Sequence, residues 1–169
     1  MRLVRIAASM SALLIFGSVH ADEAACTARA YRALDFWLGA WEVFDTRTGA
    51  HAGESLIEKN YGGCVVRESW REPGFTGGSL NIYSRLDRKW HQTWVDSSGA
   101  LREFVGGEEG GKIVLAARTF AKDDPSKPLL VRIALSANPD GSVHQYSDWS
   151  RDFGRTWQFR YDYTYRRRK

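Results

Sequence analysis

The chain has little of what most catalytic centres are made from. It holds four histidines and two cysteines in 169 residues, and the histidines after residue 21, His51, His91 and His144, lie far apart with no ligand-type spacing. That pattern gives a clustered metal site and metal-assisted hydrolysis no footing. Gly-x-Ser-x-Gly, a phosphate-binding glycine loop and a dinucleotide fingerprint are all missing, which sets aside nucleophile-elbow hydrolases, P-loop NTPases and Rossmann enzymes. After residue 21 no apolar run reaches the length of a membrane-spanning helix. From Trp41 onward no 3.6-residue periodicity appears either, so helical architectures are excluded for the body of the chain.

What is present begins with an export signal. Arg2 and Arg5 precede an apolar run through Ile6, Ala7, Leu13, Leu14, Ile15 and Phe16, and Val19-His20-Ala21 supplies a small-residue cleavage site before Asp22. Residues 1–21 therefore read as a signal peptide cleaved after Ala21, which predicts a periplasmic or secreted protein; an uncleaved anchor is the competing reading. Removal of those residues from the 169 leaves 148, the size of one domain with one core. Two arginines leave with the signal, taking Lys+Arg from 24 to 22 against 20 acids, a net charge of +2. Arg166, Arg167, Arg168 and Lys169 outweigh that balance, so the body is slightly acidic and the basic character is terminal. Trp-rich surfaces can stack bases, but without a basic patch in the body no nucleic-acid partner is expected. The tail reads as a solvated charge run, with weak contact to an anionic surface as its functional alternative.

Cys26 and Cys64 are expected to pair in an exported protein, tying the lead segment at 22–33 to the sheet across a loop of roughly 40 residues. The alternatives are a disordered or intermolecular Cys26; a lipid anchor lacks a convincing lipobox before it. Helix formers between Ala24 and Ala33 predict a short helix or turn covering one end of the domain. Beyond it, strands are expected at 41–45, 53–61, 64–72, 78–84, 89–97, 100–107, 112–120, 128–137, 142–150 and 155–166. Turn chemistry separates them: Gly62-Gly63, Pro73-Gly74 with Gly77-Gly78, Ser98-Gly99, Gly110-Gly111, Pro125 with Pro128, and Pro139-Asp140-Gly141. Short connections without crossover helices predict an all-β, antiparallel up-and-down barrel of about ten strands over residues 34–166, with a two-sheet sandwich as its rival and residues 167–169 as a basic tail.

Hairpin arithmetic assigns faces to these strands, because directly opposed residues share one side of a sheet. A two-residue turn at Leu86-Asp87 opposes Tyr83 to Trp90, Asn81 to Gln92 and Ser79 to Trp94. A similar turn at Ser98-Gly99 opposes Asp96 to Leu101, Trp94 to Glu103 and Gln92 to Val105. In the last strand Trp157, Phe159, Tyr161, Tyr163 and Tyr165 alternate with polar residues, so this aromatic face is expected to look inward. A loop at 152–154 opposes Trp149 to Trp157, Ser147 to Phe159, Gln145 to Tyr161 and Val143 to Tyr163; a slip by one residue turns His144, Tyr146 and Asp148 inward instead.

The predicted lumen face is aromatic with a few amides and carboxylates: Glu68, Trp70, Asn81, Tyr83, Trp90, Gln92, Trp94, Glu103, Gln145, Tyr161 and Tyr163. This is the composition of a pocket for a small, partly apolar ligand. A packed aromatic core with bonded amides is the alternative, and the inward assignment requires Leu80 and Ile82 to face solvent. Catalysis has one candidate constellation, Glu68 with Glu103 and Tyr83 or Tyr161, which could serve a cofactor-free isomerase, cyclase or lyase if desolvation raised a carboxylate pKa. A non-catalytic envelope interaction protein is a third reading. A monomer is expected.

Phe36-Trp37-Leu38-Gly39-Ala40-Trp41 resembles the Phe-x-x-Gly-x-Trp opening of the calycin barrels, the group of lipocalins, fatty-acid-binding proteins and nitrobindin-like proteins. With Gly63-Cys64, Trp90-His91-Gln92-x-Trp94-Val95-Asp96 and the late Ser-x-Asp-x-Gly-x-Thr-Trp at 150–157, nearly the whole mature chain looks like a group of uncharacterised secreted bacterial proteins. The resemblance implies a lumenal ligand, a Trp41 that plugs one end under Arg166 or Arg167, and a pocket opening at the other end; it brings no catalytic residue. Nitrobindin-like relatives hold haem through a barrel histidine, but the registers above turn His91 and His144 away from the lumen, so neither haem nor another cofactor is expected. Ser150-Arg151-Asp152-Phe153-Gly154-Arg155-Thr156-Trp157 resembles the Asp box of sialidases and other secreted β proteins. It implies that Ser150, Asp152, Gly154, Thr156 and Trp157 build a turn.

Overall fold

A computed structural model describes residues 26–121 and 126–169. The signal-peptide and cleavage readings, the first residues of the lead segment and the Pro125 turn lie outside the described residues. Ten strands follow one another: β1 (Gly39–Asp45), β2 (His51–Asn60), β3 (Val65–Glu72), β4 (Phe75–Ser84), β5 (Lys89–Asp96), β6 (Leu101–Glu109), β7 (Lys112–Phe120), β8 (Pro128–Ala137), β9 (Val143–Ser150) and β10 (Gln158–Arg167). Each pairs antiparallel with the next, and β1 closes on β10 with Val43 opposite Tyr165. The protein is thus an all-β closed barrel. Closure leaves no sheet edge to template association and excludes the sandwich.

Alternation explains why these strands curl this way. Trp41 and Val43, Ser55 and Ile57, Val66 and Glu68, Leu115 and Ala117, and Ile133 and Leu135 are buried, while their neighbours along each strand face outward. Leu80 and Ile82 do lie on the outer face, 48% and 43% exposed. Apolar outer positions therefore coexist here with polar inner ones.

The lead segment forms two 3₁₀ turns, Arg29–Arg32 and Asp35–Trp37, instead of an α-helix. They carry fully buried Leu34 and Trp37 into one end of the barrel. Trp41 lies beneath them, donating from Nε1 to the Trp37 carbonyl at 2.7 Å. Arg167, the last residue of β10, stacks on the Trp41 ring at 4.3 Å and donates to the Leu38 carbonyl at 2.9 Å. Gly39 makes this approach possible, because its φ of 136° suits glycine and a Cβ there would stand 2.1 Å from Arg167 Nη1. The basic run beyond is also engaged: Arg166 covers the Phe44 ring at 4.9 Å and Arg168 meets Glu54 at 3.1 Å.

Cys26 and Cys64 form a disulfide that fastens this plug beside β3, closing a loop with a sequence separation of 38. By loop-closure entropy a crosslink of that span contributes about 4 kcal/mol. Disulfides belong to oxidising compartments.

Two of the expected faces are corrected. The turn after β5 is not the two-residue Ser98-Gly99 type, since Asp96 Oδ1 accepts from the amides of Ser98 at 3.0 Å and Ala100 at 3.4 Å. This side-chain cap lengthens the loop, so Val95 opposes Leu101 and Trp94 opposes Arg102. Arg102 and Phe104 consequently point inward, while Glu103 opposes exposed Thr93 on the outer surface. In β10 a bulge falls between Phe159 and Tyr161. It reverses the parity of the strand's start, so Tyr161, Tyr163 and Tyr165 face the lumen, whereas Phe159 packs outside on Tyr146 and Trp157 lies outside under the Arg132 guanidinium. The expected inner set of β9 holds, but its pairing is displaced by two residues: Ser147 opposes Tyr161, Gln145 opposes Tyr163 and Val143 opposes Tyr165.

The loop between β9 and β10 shows why its residue types are needed. Ser150 Oγ accepts from the Gly154 amide at 2.8 Å, while Asp152 accepts from the Thr156 amide at 2.9 Å and from the Thr156 hydroxyl at 2.6 Å. These donors hold the Asp152 carboxyl down at about 2. Gly154 takes a φ of 87° and lies against the Trp157 ring.

Candidate functional site

Opposite the plug, the barrel opens into a cavity of about 290 Å³ whose walls include Glu68, Trp70, Gln92, Trp94, Phe104 and Gln145, together with Tyr161, Tyr163 and Tyr165. One wall is flat. Tyr161 and Tyr163 stack at 4.6 Å and 17°, and Trp70 continues the stack on Tyr163 at 6.0 Å and 12°. Two glycines allow the indoles to lie against the barrel wall, since a Cβ at Gly53 would meet Trp70 at 2.7 Å and one at Gly77 would meet Trp94 at 2.5 Å. The sequence thus creates aromatic surface partly by omitting side chains beside it.

A hydrogen-bonded polar row crosses the floor. Gln92 Nε2 donates to Asn81 Oδ1 at 2.8 Å, Asn81 Nδ2 donates to Ser79 Oγ at 2.9 Å, and Ser79 Oγ donates to Glu68 Oε2 at 2.9 Å. Ser55 Oγ donates to the other carboxylate oxygen at 3.2 Å. Glu68 is only 5% exposed, and burial pushes its pKa up to about 7 against the opposing pull of the Ser79 and Ser55 hydroxyls. The Glu68 carboxyl is thus held well above the usual carboxylate range. Burial likewise raises Tyr161 to about 12 and lifts Tyr165 well above its ordinary value, so both phenols stay neutral donors. Tyr165 uses its hydroxyl on Gln145 Oε1 at 2.7 Å.

The rim differs in chemistry from the floor. It carries Glu72, Phe75, Asp96, Ser98, Arg102 and Arg160. Asp96 is held down to about 2: hydrogen bonds from Ser98 and Trp94 outweigh the upward push of desolvation, the largest single influence. Arg160 is exposed, yet partial desolvation, with the charge of Arg102 nearby, lowers its pKa.

Six of the ten residues expected to bind ligand line this cavity: Trp70, Gln92, Trp94, Gln145, Tyr161 and Tyr163. Asn81 is inside but sealed, 0% exposed and committed to Ser79 and the Val66 carbonyl. Tyr83 and Trp90 sit at the plugged end, where Tyr83 packs on Tyr31 of the lead segment and on Trp90. Glu103 is outside the barrel altogether, which ends the Glu68–Glu103 acid–base pair as a catalytic constellation. Arg102, Phe104, Arg160 and Tyr165 join the site without having been expected. Only Tyr165 had a plain signal, its place in the alternation of the last strand. His91 and His144 lie on the outer face, bonded to Asp87 at 2.8 Å and Asp162 at 2.7 Å.

Fold and site together define a closed antiparallel ten-stranded barrel, plugged at one end and open at the other to an aromatic cavity with a polar floor. No family model matches the chain and no curated protein matches it.

Proposed function

We propose that the protein is an exported, calycin-like binding protein that holds a small, partly apolar ligand in the barrel lumen. The observation that carries this reading is the cavity itself: about 290 Å³ behind an open rim, with a flat Trp70–Tyr163–Tyr161 wall facing it. That volume lies at the lower end of the usual range of about 300–1,000 Å³, which favours a ligand of one or two rings. The Trp41–Arg167 stack at the plugged end supports the calycin-like part of the reading, and the disulfide supports export. At its floor the cavity offers the Glu68 carboxyl, pushed up to about 7 by burial, as a hydrogen-bonding partner for a hydroxyl or carbonyl on the ligand.

Tryptophan emission tests this directly, because Trp70 and Trp94 both line the cavity. Titration with a neutral two-ring aromatic such as naphthol is expected to quench saturably, with a Kd on the order of 0.1 mM for a ligand of that size. Trp70→Ala should weaken binding as well as reduce the signal. A quench that rises linearly without saturating would refute lumenal binding.

A further inference from the structure

We propose that the rim of the cavity is an anion site, and that the ligand class is a planar aromatic carboxylic acid whose carboxylate lies between Arg102 and Arg160. This rests on the lumenal binding reading and adds to it the charge and orientation of the ligand.

The two arginines come from opposite sides of the barrel. In the strand order β10, β9, β8, β7, β6, three strands separate Arg160 on β10 from Arg102 on β6. Both nevertheless line the aromatic cavity, and both also line an adjoining recess of about 310 Å³ walled by Phe120, Leu129, Val131 and Trp149. The two side chains thus border both spaces, near enough for the Arg102 charge to act on that of Arg160. Like charges drawn together in this way need a counter-charge between them.

Among the described residues, Asp96 is the acid whose charge acts on both arginines. Asp96 meets Arg102 at 3.5 Å, but its carboxylate already accepts from Trp94 Nε1 at 2.9 Å and from the Ser98 amide at 3.0 Å. Arg160 has no carboxylate partner among the described residues; its guanidinium carbon stands 5.5 Å from the Tyr161 ring. Glu72 is the other acid on the rim, and it acts on Tyr163, whose pKa it helps to raise. A ligand carboxylate placed between the two guanidiniums would receive paired N–H donors in the fork geometry that arginine offers and lysine does not. Its rings would then extend inward along Tyr161, Tyr163 and Trp70.

Arg160 occupies its place because of the β10 bulge, and Arg102 because of the Asp96-capped turn. Two departures from regular strand geometry thus each bring an arginine to the opening.

Naphthoate and its neutral isostere naphthamide separate charge recognition from ring recognition. By calorimetry in low salt, the protein is expected to bind naphthoate at least about tenfold more tightly than naphthamide, the size of effect given by charge-assisted hydrogen bonds. Arg102→Gln and Arg160→Gln, both at the solvent-facing rim, should each reduce naphthoate affinity by about tenfold and leave naphthamide unchanged. Equal affinity for acid and amide, or unaltered naphthoate binding in both variants, would overturn the anion site while leaving the lumenal reading intact. Absence of binding by either compound would overturn both.

Discussion

Glu68→Gln is expected to raise the melting temperature of the protein at pH 8 and to leave it almost unchanged at pH 5. The folded barrel raises the Glu68 pKa from 4.5 to about 7, chiefly by burying the carboxyl. Between those values the folded chain keeps a proton that the unfolded chain releases, so stability falls as pH rises through that window. Above pH 7 the loss is complete and amounts to about 3 kcal/mol. Glutamine is neutral throughout and can still accept from one of the serine hydroxyls and donate to the other. For a domain of this size the difference corresponds to about 6–12 °C at pH 8. The pH range matters for the interpretation. Asp96 and Asp152 have pKa values depressed to about 2, so their contributions are present above their unfolded values and disappear only as the pH falls far below 5. Parallel melting curves for the two proteins between pH 5 and pH 8 would contradict an ionisable, desolvated Glu68.

Trp41→Ala should be the most damaging single truncation at the plugged end. The indole is 1% exposed, bonds the Trp37 carbonyl at 2.7 Å, meets the Tyr165 ring edge-on at 6.3 Å and supports the Arg167 guanidinium at 4.3 Å. Large-to-small changes at such sites cost about 3–5 kcal/mol, because the surroundings collapse only partly into the void. The loss corresponds to a melting temperature lower by about 10 °C or more. Trp70→Ala provides the contrast. Trp70 borders the cavity, so its removal enlarges a space that already exists, and it should lower ligand affinity at a smaller cost in stability. Similar thermal losses in the two variants, measured by calorimetry, would contradict the division into a packed end and an open one.

The parts of this architecture that could be read in the chain are those governed by strict alternation. Centring the turn on Leu86-Asp87 places Asn81 opposite Gln92 and Ser79 opposite Trp94, as the barrel has them, although the connection spans four residues, Arg85 to Arg88, instead of two. The plug was legible as well, since Gly39 and Trp41 stand at fixed spacing and the terminal arginines were candidates to cover the indole. What escaped depends on a single inserted residue or a side-chain cap. The Asp96 cap turned Glu103 out and Arg102 in, reversing a strand whose own residues look equally suited to either face. The β10 bulge had no signature in an unbroken alternation of aromatic and polar residues, although it decides that Tyr161 faces the lumen and Phe159 does not. Asn81 was assigned correctly to the interior but could not be read as sealed, because the Val66 carbonyl and the Gln92 amide that bond it belong to the neighbouring strands β3 and β5.

The division of labour between the ends follows from these details. Apolar side chains, a disulfide and an arginine-capped indole close one end. At the other end glycines leave room beside two indoles, and lumenal Tyr161 and Tyr163 stay only partly buried. Ligand cavities commonly combine such apolar walls with a few placed polar groups, here Glu68, Gln92 and Gln145.

Lumenal binding is tested most directly by the crystal structure of the protein soaked with naphthoate. The expected result is a planar ring system lying along Tyr161 and Tyr163, reaching toward Trp70 inside the barrel. An unoccupied lumen, with the compound only on the outer surface, would contradict it.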